Sequence, residues 1–257
     1  MHRRRQIVIV GDQQVRHRGT IGGSLSAQTL GALWFVQAGG GVGAHDNGPF
    51  SRRLQSYSPR QANGELFVYE SAEFSNVGYS IGGAAGLMLE SGLLIGASGE
   101  IVMFPVVESI TGLGNERDEY TLSGWEGGLD IGWTLANANA TIVYPFVHLA
   151  YAGYGLDFAN NQSDSIPFFE GEPVAPGQTA TYTGAAPRVA IGVGLESVVG
   201  SGSTSGFLVG ARVSYGRMFT RPEWEHDGEA VNNGGHTPFY NTLTLSIAIG
   251  FGGGEAR

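Results

Sequence analysis

No cysteine and no lysine occur in this 257-residue chain, and ionisable residues make up only 14% of it. Without thiols there are no disulfides, no thiolate metal sites and no cysteine nucleophile. All 14 basic residues are therefore arginine, against 23 acids, and the net charge is −9 with a pI of about 5.1. Nucleic-acid binding needs a basic stripe, so that class of function is excluded. Long apolar runs are missing as well. The longest uncharged stretch, 19–44, is interrupted by Gly, Ser, Gln and Thr, and lacks the ~20 predominantly apolar residues of a membrane helix. A mean hydropathy of −0.02 looks soluble, but a wall whose lipid-facing residues alternate with interior ones gives the same average.

Glycine is abundant: 43 residues against a usual share of about 7%. The glycines sit in a pattern of period two. Over 239–252, Phe239, Leu243, Leu245, Ile247, Ile249 and Phe251 fall on one phase, and Thr242, Thr244, Ser246, Ala248 and Gly250 on the other. A period of two sends the two sets to opposite faces of a strand. Eight such stretches are expected, near 32–45, 77–90, 93–107, 120–135, 140–156, 181–198, 206–219 and 239–252. Short connections (90–92, 136–139, 199–205) alternate with long ones (about 46–76, 108–119, 157–180 and 220–238). Tight hairpins on one side and long loops on the other, with both termini on the short side, predict an all-β, eight-stranded antiparallel up-and-down transmembrane β-barrel. Its short turns would be periplasmic and its long loops extracellular.

The composition of the two phases decides which one faces out. One holds Val, Leu, Ile, Phe and Trp, and is expected to be free of Asp, Glu, Lys and Arg along all eight stretches, since a charge facing mid-bilayer costs about 2–4 kcal/mol. Trp125 and Trp133 share that phase eight residues apart, which at ~3.3 Å per residue and ~40° of tilt is a height difference of about 20 Å. They are expected in two aromatic girdles, joined by Trp34, Tyr151 and Tyr215. The other phase is small, as in Gly78, Ser80, Gly82, Ala84 and Gly86. A soluble barrel would put that phase in water, where a surface carries charge at about 25–35%. Small residues suit the crowded inside of a narrow barrel better.

Charges within the stretches fall on the small phase: Glu100, Glu126, Asp130, Arg188, Glu196 and Arg212, with His148. Buried charges must be paired, so these residues predict a polar network filling the lumen. Hairpin geometry places Glu126 across from His148, and Arg212 near Gly192 within diagonal reach of Glu196. No nucleophile stands at a recognisable spacing from His148, so no triad is completed. Pro105 and Pro187 are expected near strand ends by the long loops. Pro145 is expected near the periplasmic rim, where a bulge absorbs it. In the loops, Arg52, Arg53 and Arg60 could meet lipopolysaccharide phosphates. Glu223–Glu229 with His236, and Asp157, Asn160, Asn161, Asp164 and Ser165, are too loosely spaced for a metal site. Residues 1–28, with Arg3–Arg5 before a short apolar run and Ser24–Ala27 as a small-residue cleavage site, read as a leader or disordered segment before a barrel domain at 29–257.

Two strands carry a resemblance. Trp34-Phe35-Val36-Gln37-Ala38-Gly39-Gly40-Gly41-Val42-Gly43 and Tyr144-Pro145-Phe146-Val147-His148-Leu149-Ala150-Tyr151-Ala152-Gly153-Tyr154-Gly155 resemble strands of the small outer-membrane β-barrels of Gram-negative bacteria, of the OmpA/OmpX type. The likeness covers about 30–252, with His148 standing where a glycine is usual. The last stretch, closing on Phe251, is similar to the signal read by the barrel assembly machinery, although Gly252 to Arg257 follow it. The resemblance implies an outer-membrane location, with lipid, lipopolysaccharide and that machinery as partners. It implies no cofactor and no metal, and a non-enzymatic structural or surface-interaction role through the loops. A narrow channel or carrier is the alternative, and a lipid A-modifying enzyme ranks third.

Overall fold

The computed structural model describes residues 30–45, 54–55, 71–110, 119–138, 140–161, 165, 174–199, 205–221, 223–231 and 241–256. The expected leader lies outside them, as do Arg52, Arg53, Arg60, Asp164 and His236. Every regular element among the described residues is a strand. Eight long ones build the wall: β1 (Leu30–His45), β2 (Val77–Met88), β3 (Leu93–Phe104), β4 (Glu119–Trp133), β5 (Thr141–Ala159), β6 (Thr179–Val199), β7 (Ser205–Met218) and β8 (Asn241–Ala256). Each pairs antiparallel with the next, and β8 pairs with β1, so the eight-stranded wall closes on itself.

The register fixes the tilt. A path from partner to partner starts at Phe35 and runs through Gly86, Gly96, Asp130, His148, Ala190, Gly216 and Thr242. It returns to β1 at His45, ten residues beyond its start (45 against 35). Eight strands with this stagger tilt by roughly 40°, and each perpendicular step climbs about one and a quarter residues toward the long-loop side. All residues on this path point inward. The residues between them point out, and large apolar ones there are exposed, among them Ile247 at 60%, Ile81 at 65% and Phe251 at 65%. The greasy phase of every strand is the outer face.

The strands run further than the sequence pattern suggests. β5 and β6 reach Ala159 and Thr179, because Asp157 and Thr181 still pair across them, with the Thr181 hydroxyl donating to Asp157 at 2.6 Å. β8 continues past Phe251, where Gly252, Gly253 and Gly254 pair with Phe35, Trp34 and Leu33. Pro187 is accordingly inside β6, not near its end. The β6–β7 ladder stops just below it, at Arg188↔Met218. Pro145 ends the β4–β5 ladder at Gly132↔Phe146, and pairing resumes one residue out of step between Ala136–Ala138 and Thr141–Val143. The missing proline N–H makes the expected bulge. Pro105 turns the chain out of β3, and Val106–Ile110 joins Ser71–Phe74 and Leu54–Gln55 in a small separate sheet. At the β2–β3 turn Gly92 takes φ 86, a left-handed conformation that side chains resist, and its N–H closes the turn on Leu89 O at 2.8 Å.

The outer face corrects one expectation. Arg217, near the top of β7, lies on the outward phase and is exposed. Asp157 and Glu119 also share the outward phase, but near the tops of β5 and β4.

Candidate functional site: the barrel interior

Three layers fill the interior. Toward the short turns, Leu33, Phe35, Met88, Leu94, Ile142, Tyr144, Phe146 and Leu208 form one buried cluster. Toward the long loops, Val102, Phe104, Tyr120, Leu122, Tyr154, Leu156, Phe158, Tyr182 and Met218 form a second, closed over by Phe74, Val174 and Trp224 from the loops. These clusters correct the expectation of an inner phase made only of small residues and charges. At both ends of the wall that phase is large and apolar.

Between the clusters lies the polar layer. All seven residues expected there, Glu100, Glu126, Asp130, His148, Arg188, Glu196 and Arg212, face the lumen, and Asp130, His148, Arg188 and Glu196 are buried. Arg212 joins Asp130 at 3.2 Å and Glu196 at 3.5 Å. Its guanidinium also lies over the rings of Tyr144 and Phe146, 5.9 and 5.7 Å from their centroids, a cation–π arrangement. Arg188 donates to Glu126 and to the Thr242 hydroxyl. Glu196 further accepts from Tyr144 at 2.9 Å and from the Gln37 amide. His148 bridges the two halves, with Nδ1 at 2.7 Å from Asp130 and Nε2 at 3.3 Å from Glu126.

Two expected registers shift. The cross-strand partner of His148 is Asp130, and Glu126 sits opposite Ala152. The turn comes two residues later than expected, with Ala140 at φ 60. Glu126 reaches His148 diagonally instead. Arg212 likewise stands opposite Gly194 rather than Gly192, and meets Glu196 diagonally. Glu100 and Glu126, two like charges, are direct partners on β3 and β4. Arg188 beside Glu126 tempers a pairing that is unfavourable by itself.

Glycines make room for these long side chains. A Cβ on Gly216 would run into the Arg188 guanidinium, one on Gly210 into the Glu196 carboxylate, and one on Gly194 into the Tyr144 ring. A cavity of about 110 Å³ remains in the middle, lined by Gln37, Ser80, Ser98, Glu100, Ser214 and Thr244 among others. It is polar and roomy enough for several waters. Buried atoms without a protein partner, Gln37 Oε1, Ser80 Oγ and Arg212 Nε, belong to its lining residues.

Sequence reasoning passed over Gln37, Ser98, Tyr144 and Thr242. Each is a polar residue on the inner phase level with a charge, and that was the available signal. Ser98 brings a hydroxyl to His148 and Asp130, at 3.4 Å from Nδ1 and 2.9 Å from Oδ2. The trio is not a hydrolytic triad. A triad needs acid and nucleophile on opposite ring nitrogens, whereas Asp130 and Ser98 share Nδ1 and Nε2 faces Glu126. No group of three or more acidic or histidine side chains able to hold a metal occurs among the described residues.

On the outside, Trp34, Trp125, Trp133, Tyr151 and Tyr215 are all about half exposed. With the climb of about one and a quarter residues per strand, they fall at two heights. Trp34 and Trp133 lie low, level with Phe207 and Phe251, whose rings meet edge to face at 5.8 Å. Trp125, Tyr151 and Tyr215 lie high, level with Tyr79, and the rings of Trp125 and Tyr151 are 6.1 Å apart. Above the upper ring the outer faces of β4–β6 turn polar, with Thr121, Ser123, Asp157, Thr181 and Thr183.

No family model matches this chain, and no curated protein does. Among solved structures it is similar to Ail, the attachment invasion locus protein of Yersinia pestis, with 8% identity and TM-score 0.40 over 87% of this chain and 99% of that one. It is also similar to a major outer membrane protein from Thermus thermophilus, with 10% identity and TM-score 0.47 over 86% and 98%. The outer membrane protein OprG from Pseudomonas aeruginosa matches at 10% identity and TM-score 0.41 over 88% and 96%. A closed antiparallel wall of eight strands with an apolar outside is the architecture of a β-barrel that crosses a membrane with its strands, of the kind found in outer membranes.

Proposed function

We propose that this chain is a non-enzymatic outer-membrane barrel of the OmpA/OmpX type, with an occluded lumen and a structural or surface-interaction role carried by its extracellular loops. The observation that carries the reading is the layered interior, a paired charge network held between two buried apolar clusters. An ion entering the lumen from either side would have to pass a buried apolar cluster before it reached the network. Outer-membrane lipid and lipopolysaccharide surround the wall, with the aromatic rings at the two interfaces, and the barrel assembly machinery reads β8 through Phe251. No cofactor enters this reading. The direct test is electrical. Purified protein in planar bilayers should give no steady single-channel current, and neither should Glu126→Gln or Arg212→Ala variants that still run as closed barrels. Steady currents altered by these substitutions would favour the second reading, a narrow channel, for which the central polar cavity is the supporting observation.

A further inference from the structure

Arg217 differs in position from every other charge on the wall. Among the described residues it is the one charged side chain that faces outward between the two aromatic levels or at them. Its cross-strand partners are Val189 on β6 and Asn241 on β8. At the shear-derived climb of about one and a quarter residues per strand, it is level with Trp125, Tyr151 and Tyr79 on other strands. That is the height of the polar headgroups of the outer leaflet.

The wall is low at β7. It ends at Met218, while β5 and β6 rise about seven residues higher. Beneath Arg217 the Tyr215 hydroxyl donates to Asn241 at 3.2 Å. Above it Phe219 is exposed at 64%, and Arg221 is exposed one step beyond. The acidic hairpin bearing Glu225, Asp227 and Glu229 docks on β6 at Thr183, roughly five residues above Arg217 and past the headgroup layer. An arginine at a bilayer boundary keeps its planar fork of donors in reach of phosphate, which it binds bidentately.

We propose that Arg217 holds a phosphate group of an outer-leaflet lipid headgroup beside the low end of β7. The proposal rests on the lipid-facing reading of the wall and adds a specific binding site to it. The experiment uses the full chain in nanodiscs of zwitterionic phospholipid with increasing amounts of lipid A. Bound lipid A is counted by native mass spectrometry, and heat-modifiable gel migration of the same samples reports an intact barrel. Arg217→Gln should bind lipid A roughly ten-fold more weakly, while Arg217→Lys, which keeps charge without the fork, falls between. Thr181→Arg, which adds an arginine higher on the wall, should not change binding. Equal lipid A binding by wild type and Arg217→Gln, with both barrels intact, overturns the site. If inorganic phosphate displaces lipid A at equal concentration, the group is a free-anion site and the lipid assignment fails. Loss of the closed-barrel migration in wild type would instead count against the underlying fold reading.

Discussion

Arg212 shows how few side chains hold the interior together. It meets Asp130 and Glu196 and lies over two aromatic rings at once. Removing it leaves two buried carboxylates without their cation, and breaking a buried pair in this way costs about 3–5 kcal/mol. Arg212→Ala should therefore unfold at clearly lower urea than wild type when the folded barrel is followed by gel migration, while Arg212→Lys recovers part of the loss. An unchanged midpoint would mean that the network contributes nothing to stability. Gly216 makes the complementary point, since its missing side chain is the space Arg188 occupies. Gly216→Val should destabilise by about 1–3 kcal/mol through overpacking, whereas Gly177→Val, where a Cβ would meet nothing within 4 Å, gains no such clash, although its φ of 71 brings backbone strain.

At the scale of a strand, each face has its own rules, and these make position matter more than residue type. Ile247→Arg puts a charge on the outer face between the aromatic levels and should cost about 2–4 kcal/mol. The same arginine in Thr181→Arg, above the upper level, should cost about 0–1 kcal/mol. Comparing urea midpoints in lipid tests this, and equal losses at both sites would contradict the placement of the bilayer. The strand faces were readable from sequence, because a period of two in β8 separates Leu245 from Ser246 without any knowledge of partners. Register was not. A two-residue error in the β4–β5 turn moved Glu126 from a diagonal neighbour of His148 to a direct one, because Ala140 adopts a left-handed turn that nothing in Ala-Asn-Ala-Asn-Ala announces. The apolar end clusters were hidden for another reason. Phe104, Leu122, Tyr154 and Leu94 share the phase of the glycines, and which of them share a layer depends on the stagger accumulated around the whole wall. A charge on the inner phase is conspicuous in the sequence, whereas Gln37 and Tyr144 become conspicuous only beside Glu196.

For the molecule as a whole, closure couples these levels. β8 pairs with β1 along its length, out to Leu30↔Ala256, so the eight-stranded wall presents no open edge to lipid. A wall of eight strands is just wide enough to be filled by its own side chains, and this one is filled by alternating apolar and ionic layers. Absence of cysteine opens the most direct test of the lipid-facing orientation. Single-cysteine variants from Leu243→Cys to Phe251→Cys, each spin-labelled in lipid vesicles, report contact with dissolved oxygen in hydrocarbon. Oxygen accessibility should peak at 243, 245, 247, 249 and 251 and fall at 244, 246, 248 and 250, where the label faces the packed interior. Peaks at the even positions, or no alternation at all, would contradict the account.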